Sequence, residues 1–362
     1  MKFKKLLALI LSLILVLNFT SCGNGDNSDT ATTTNSASVN TDDSTSPDST
    51  DKPEIKPDPN FDYWTDEEDS DSSPEIPEVI TPLLYKVTDA DGNIAWIFGS
   101  IHVGAEFFYP LPDYVMDAYN ASDALAVEFD ISSIDQNDYD TVFSDYIYDM
   151  EYSDSSRIKD HIPDYVYDEA KEILKEHDYY FRALDCYKPG LWAEFIDELA
   201  REKLDINTEL GIDNFFLNTA HAENKTIYDI ESLEFQMRMT LDYSDGLQTL
   251  LLRSAIESYK EAEEYQDSLD ELLVDWAIGN EEAFVDDESD YQYMSRKMRI
   301  LYDEYNKIMT LDRNITMADF AEDALASGEE VFIVVGAGHV VGKGGMTDLL
   351  TERGYTVELI QG

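Results

Sequence analysis

Apolar and polar positions divide the chain into three stretches. Lys2, Lys4 and Lys5 precede an apolar run from Leu6 to Val16 that extends to Phe19. A basic start, an apolar run too short for comfortable spanning, and the small residues Thr20 and Ser21 predict a secretory signal peptide over 1–21. Residues 22–79 shift to Ser, Thr, Asp, Asn and Pro. Such a segment is too poor in apolar residues to fold, so it reads as a disordered acidic tether, with Tyr63-Trp64 an exposed pair within it. From about Ile80 the pattern is that of a folded domain, 80–362.

Within that domain, Leu83–Thr88 and Ile94–Ile101 are apolar and β-rich, and Asp89-Ala-Asp-Gly-Asn93 between them predicts a hairpin. The same five residues lack the register and the distal Glu of a calcium loop. Two stretches share one form: AWIFGSIHVG (Ala95–Gly104) and VFIVVGAGHVVG (Val331–Gly342). Each reads as a buried strand running into a turn, with a histidine three residues after a glycine. Each is followed by a helix and by a strand containing Val-Glu, LAVEFD at Leu125–Asp130 and YTVELI at Tyr355–Ile360. Apolar residues at three- and four-residue spacing predict helices over Asp164–His177, Pro189–Lys203, Ile212–Glu223, Leu233–Glu264, Leu269–Ile278 and Ser295–Met309. A short strand, Thr226–Ile230, interrupts them. Pro112 sits in the first turn of a helix from Leu111 to about Ala121, Thr316-Met317 opens one that Gly328 ends, and Lys343–Arg353 is the last. The expected fold class is α/β, or mixed α+β: two strand–Gly-x-x-His–helix–strand units forming a central sheet, with a large helical insertion.

Composition narrows the partners. With 362 residues and 43% hydrophobic content the chain can build a sizeable core. Asp plus Glu total 77 against 25 Lys plus Arg, a net charge of −52. A surface this acidic repels phosphate backbones and disfavours nucleic acid; metal cations and cationic surfaces are better matched, although surface solvation explains most such charge. Cys22 and Cys186 give no disulfide framework. Phe19-Thr20-Ser21-Cys22 resembles a bacterial lipobox, with Phe19 where Leu is commoner. Cleavage before Cys22 and lipid attachment there would anchor the protein to the membrane outside the cytoplasm. An uncleaved anchor or a plain signal peptide are the alternatives. Cys186 is then a single thiol, read as buried.

The candidate chemistry rests on two of five histidines. His161, His177 and His221 lack turn glycines, and packing or surface roles suffice for them. His102 and His339 each lie just past the carboxyl end of a strand, the edge where open α/β sheets place ligands, and each follows a glycine that permits a sharp turn. Matching contexts at opposite ends of the domain argue for one shared site. Glu128 stands in the apolar strand LAVEFD, where a charge is costly unless paired or coordinating; an outward-facing Glu is the alternative. Two imidazoles and a carboxylate make a three-ligand site with open positions, as a catalytic divalent metal requires. Such a metal polarises a carbonyl and acidifies bound water. Glu358, in the equivalent repeat position, reads as an exposed strand residue. Gly338–Gly345 lacks Walker spacing, and neither Gly-x-Ser-x-Gly nor His-Glu-x-x-His occurs.

A set of short motifs runs in order through the domain: Gly99-Ser-Ile-His102, Leu111-Pro112, Glu128, Lys188-Pro189, Leu210-Gly-Ile-Asp213, Ile230-Glu231-Ser232 with Gln236, Trp276 before Gly279-Asn280-Glu281, Arg313-Asn314 and Gly336-Ala-Gly-His339. Together they resemble the TraB/GumN family, which includes the Tiki proteins, over about Leu83 to Ile360. The resemblance implies divalent-metal-dependent protease activity centred on His102, His339 and Glu128. It implies that Arg313 holds substrate or the acidic ligand, with a helix-start salt bridge as the alternative, and that Glu231 supports the site. Val340, where Leu is common, and Gly342, near a usual Pro-Gly, are mild departures. The expectation is an extracytoplasmic lipid-anchored hydrolase, a peptidase first, holding Mn, Co or Zn on His102, Glu128 and His339 and acting on a peptide or protein. Glu128 is either ligand or base. Two alternatives stay open: a protein that sequesters a peptide signal without turnover, and a metal-free hydrolase with His102 as base and Glu128 as its partner.

Overall fold

The computed structural model describes residues 74–285 and 288–361. The expected signal peptide, Cys22 and the part of the expected tether up to residue 73 lie outside the described residues. Six strands form one mixed sheet in the order β4-β3-β5-β2-β1-β6. They are β1 (Leu84–Thr88), β2 (Ile94–Ser100), β3 (Ala124–Val127), β4 (Thr226–Asp229), β5 (Val331–Gly336) and β6 (Thr356–Ile360). The β1–β2 hairpin is made by Asp89, whose Oδ1 accepts the backbone N–H groups of Asp91 at 2.9 Å and Asn93 at 2.8 Å. Gly92 takes φ +90° there, which a side chain would resist.

Valine and isoleucine dominate β5, which is buried on both sides and runs parallel to β2 and to β3. Alternate residues separate into two layers. Phe98, Leu125, Val127, Phe332 and Val334 pack with residues of α1 (Asp113–Ala121), α5 (Ile212–Glu223) and α8 (Ala262–Ala277). Ala95, Ile97, Ala124, Ala126, Ile333 and Val335 pack with Met317, Ala318 and Ala321 of α10 (Asp312–Ser327). A one-residue slip of any strand would exchange these faces, so register is fixed by burial on both sides. The indole of Trp276 on α8 donates to Gly99 O at 2.8 Å, tying that helix to the residue three before His102.

A helical lobe has its own core around Trp192, Leu174, Ile196 and Leu252. It is formed by α2 (Gln136–Asp149), α3 (Asp164–Glu176), α4 (Pro189–Arg201) and α7 (Asp245–Lys260). Pro189 opens α4, where a missing N–H costs nothing. Cys186 is half-buried and free, less covered than its sequence context implies.

Three expectations are corrected. The helix predicted over Leu233–Glu264 is broken into α6 (Leu233–Arg238), a 3-10 turn and α7, because Ser244 caps the N–H of Leu247 and starts a new helix. The last helix, α11 (Met346–Glu352), is shorter than Lys343–Arg353, and a separate helical turn, Ala337–Val340, carries His339. The two strand–Gly-x-x-His units are not equivalent in the sheet. β3 lies parallel beside β5, whereas β6 returns antiparallel to β1 at the opposite edge. Glu358, on that edge strand, is exposed.

This topology decides where the motifs meet. β3, β5 and β2 are adjacent and parallel, with Ser100 opposite Gly336 and Val127 opposite Val334. Their carboxyl ends therefore form one edge, and Glu128, His339 and His102 follow within three residues of those ends.

Candidate active site

His102 sits in a turn sealed against the segment before α5. Ile212 N–H donates to Ile101 O at 3.0 Å, and Gly104 N–H to Asn207 O at 2.9 Å. A Cβ at Gly104 would fall 1.8 Å from Leu210 O, and one at Gly211 would fall 2.2 Å from His102 O. The backbones approach this closely only because both residues are glycine. The approach brings His102 Nδ1 within 2.8 Å of Asp213 Oδ2, while Ser100 Oγ donates to Asp213 Oδ1 at 2.7 Å.

His339 is held from the other side. Its Nδ1 lies 2.7 Å from Asn314 Oδ1, and Asn314 Nδ2 donates to Gly344 O at 2.8 Å. A carbonyl oxygen can only accept, so the Asn314 amide has one orientation and Nδ1 of His339 must carry the proton. Nε2 is then a lone-pair nitrogen. Neither His102 nor His339 forms a hydrogen bond through Nε2 to any described residue.

Glu128 is buried between a donor and a cation. Its Oε1 accepts the Gly336 N–H at 2.9 Å and its Oε2 accepts Arg313 Nη2 at 2.6 Å. A Cβ on Gly336 would meet Glu128 Oε1 at 3.4 Å and His339 Cδ2 at 3.6 Å, so the carboxylate and the ring flank the same glycine. Arg313 also grips Glu231, with Nε on Oε1 at 2.7 Å and Nη2 on Oε2 at 2.8 Å, and Gln236 Nε2 donates to Glu231 Oε2 at 2.9 Å. Glu231 follows β4, and its N–H donates to Glu128 O at 2.8 Å. A π-helical turn, Lys307–Leu311, joins α9 (Arg296–Asn306) to α10 and sets the phase that turns Arg313 inward.

The charges of these groups reach one another. Burial works against a charge on His102, but the carboxylates of Asp213 and then Glu128 outweigh it and lift the imidazole to about 9. Burial and then the Arg313 cation push His339 down to about 3, so it is neutral. Burial would raise the carboxyl of Glu128; Arg313, followed by His339, His102 and the Gly336 N–H, overcomes this and holds it well below the usual carboxylate range. Burial opposes the charge on Arg313 as well, yet Glu128 and Glu231 keep the guanidinium firmly protonated.

All four residues singled out from sequence, His102, Glu128, His339 and Arg313, therefore stand together. The other histidines do not: His161 lies against Ser156 and Asp245, His177 against Tyr259, and His221 against Asp130 and Ser132. Asp213, Asn314 and Ser100 were not identified as site residues by chemistry. All three stand in the motifs read from the sequence, but which imidazole each meets depends on tertiary pairing. Glu128 does not partner His102; Asp213 does.

A divalent cation fits this donor set in two respects. Glu128 and Glu231 share the single guanidinium of Arg313 and Asp213 lies against His102, so the site has carboxylate charge to spare once both rings are neutral. Each ring also has Nδ1 anchored and Nε2 free, the arrangement that orients metal-ligating imidazoles. Glu128 is less available, because both of its oxygens are engaged. Among the described residues no group of three His, Cys, Asp or Glu side chains is arranged to hold a metal by itself.

The parallel-edge site and its paired Gly-x-x-His turns define a family, and the comparison of sequences identifies it. Residues 83–359 match the TraB/PrgY/gumN family, and the chain belongs to it. Similar proteins include the Uncharacterized protein YbaP of Escherichia coli (strain K12), 25% identical over 256 residues that span 70% of this chain and 86% of the relative. The protein of the same name from Shigella flexneri matches to the same extent. No solved structure matches.

Proposed function

We propose that the domain is an extracytoplasmic hydrolase of peptide bonds, working through His102 and His339. One observation carries this reading: two imidazoles from distant parts of the chain each have Nδ1 tied to a built-in acceptor, which leaves two unpartnered Nε2 atoms at one sheet edge. His102 and His339 are the residues that would hold a divalent cation such as Mn, Co or Zn through Nε2. When bound, such an ion supplies Lewis-acid polarisation of a carbonyl and acidification of water. Asp213 and Asn314 keep the two rings in the tautomer and orientation this requires. Arg313 and the Gly336 N–H keep Glu128 ionised and fixed beside the rings, where its charge opposes anionic competitors. Glu231 and Gln236 hold Arg313 in place.

A second reading is favoured by the 2.8 Å contact of His102 with Asp213. An Asp–His pair can act as a general base without metal, Nε2 of His102 taking a proton from water. Incubation of the purified protein with a mixed peptide library, read by mass spectrometry, separates the outcomes. Fragments that disappear with a chelator and in His102→Ala and His339→Ala support the metal-assisted reading. Chelator-resistant fragments support the His102–Asp213 base. Peptides bound but recovered intact from every sample would reject hydrolysis in favour of sequestration.

The lipid anchor is part of the same proposal. Its support is the basic and apolar start followed by Cys22. Among the described residues no helix is long and apolar enough to cross a membrane.

A further inference from the structure

We propose that Asp213 is the positioning residue of this site, fixing His102 with Nδ1 protonated and Nε2 left open at the sheet edge. The consequence for turnover rests on the hydrolase reading above; the positional claim itself does not.

Asp213 is the second residue of α5, a place where an acid ordinarily serves the helix. Here it does not cap: no side chain at this helix start accepts from the backbone N–H groups. Both oxygens leave the helix instead. Oδ1 takes the Ser100 hydroxyl, and Oδ2 is sealed from solvent with His102 Nδ1 as its one close polar neighbour among the described residues. The contact at 2.8 Å lies off the ideal N–H···O direction, so charge attraction carries it as much as hydrogen bonding. A buried carboxylate oxygen without a full hydrogen bond is costly and persists only where the surroundings impose it.

The surroundings do impose it. Gly211 N–H donates to Thr208 O at 3.0 Å, Asn214 Nδ2 donates to Thr208 O at 2.7 Å, and Tyr109 Oη donates to Leu210 O at 2.8 Å. The first two close the 207–214 segment upon itself, and the third ties it to Tyr109. The Gly104 and Gly211 contacts then seat it on the His102 turn with no room for a Cβ. Ser100 comes from the end of β2, so the carboxylate is referenced to the sheet and the imidazole is referenced to the carboxylate. A carboxylate only accepts, so Nδ1 must donate and Nε2 is left for an ion or a substrate. Asn314 does the same for His339 with a neutral amide. The two rings thus have unlike supports, one charged and one neutral.

The test uses the full-length protein in detergent with nitrogen-15 in its histidine rings; with five histidines, single replacements assign the signals. Above pH 9, where His102 has given up its second proton, the wild type is expected to show a protected proton on Nδ1 and none on Nε2, signals absent in His102→Ala. In Asp213→Asn the amide presents N–H toward the ring, and His102 should move to the Nε2–H tautomer. Ser100→Ala should leave the tautomer and speed exchange of that proton. Zinc and manganese titrations should show roughly 10–100-fold weaker binding in Asp213→Asn. Circular dichroism checks that each variant is folded. An unchanged His102 tautomer in folded Asp213→Asn overturns the proposal, as does unchanged exchange in Ser100→Ala if Asp213→Asn does not fold. Failure of the wild type to bind either metal, with the tautomer change present, would reject the metal reading and leave the positioning role standing.

Discussion

Arg313 is the side chain whose removal the site tolerates least. It is buried and shared between Glu128 and Glu231, so its loss leaves two carboxylates without compensation. Breaking a buried pair from one side costs about 3–5 kcal/mol, and Arg313→Ala should fall at or above that range in urea unfolding. Glu128→Gln keeps an acceptor for only one of Arg313 and Gly336, but it leaves Arg313 paired with Glu231 and should cost less. His102 suits a pH test. If catalysis runs without metal, Nε2 must be unprotonated, and His102 is lifted to about 9 by Asp213 and Glu128 against burial and Arg313. Chelator-treated activity should then climb as pH rises toward 9. Asp213→Asn, which leaves the proton on Nε2, should lose that activity across the whole range. His102, His339 and Glu128 were legible in the sequence because glycines and apolar neighbours mark them. Asp213 and Asn314 stood in the motifs but without a role, since a polar residue at a helix start looks the same whatever it touches.

At the scale of elements, the His102 turn and the 207–213 segment form one backbone contact built on two glycines. Gly104→Ala and Gly211→Ala should each destabilise the protein by about 1–3 kcal/mol or displace the turn, read as a lowered melting temperature with loss of activity. The helical lobe offers a separate test. Glu194 is pushed up to about 7 by burial and by Asp197, against Tyr146 and Arg201, and Asp197 to about 7 by burial against Arg201. Both folded values lie above the usual carboxyl range. Their contribution is therefore fully present below that range and lost as pH rises through about 7. Glu194→Gln and Asp197→Asn should raise stability at pH 8 by about 1–3 kcal/mol and flatten its fall from pH 5 to 8 in thermal melts. Sequence periodicity found most helices but placed a gap between Met309 and Thr316. The π turn at Lys307–Leu311 shifts the apolar stripe out of phase, so one continuous rod reads as two helices.

At the scale of the molecule, the pattern of apolar runs revealed the strands but not their neighbours. β5 is buried on both faces and had to be central, which follows from its composition. The antiparallel return of β6 to β1 does not, because an alternating strand pairs equally well in either direction. The three parallel strands nonetheless sufficed to bring the two histidine turns to one edge. The proposed membrane anchor is tested independently of the site: Cys22→Ser should release the protein from membranes into the soluble fraction, and retention would contradict lipid attachment at that residue.

The most direct test of a joint role for His102 and His339 is a double-mutant cycle on peptide cleavage. Residues of one catalytic unit lose nearly as much singly as together. The result expected is that His102→Ala, His339→Ala and the double variant are all folded and equally depressed. Losses that multiply, or a single variant that keeps wild-type turnover, would contradict it.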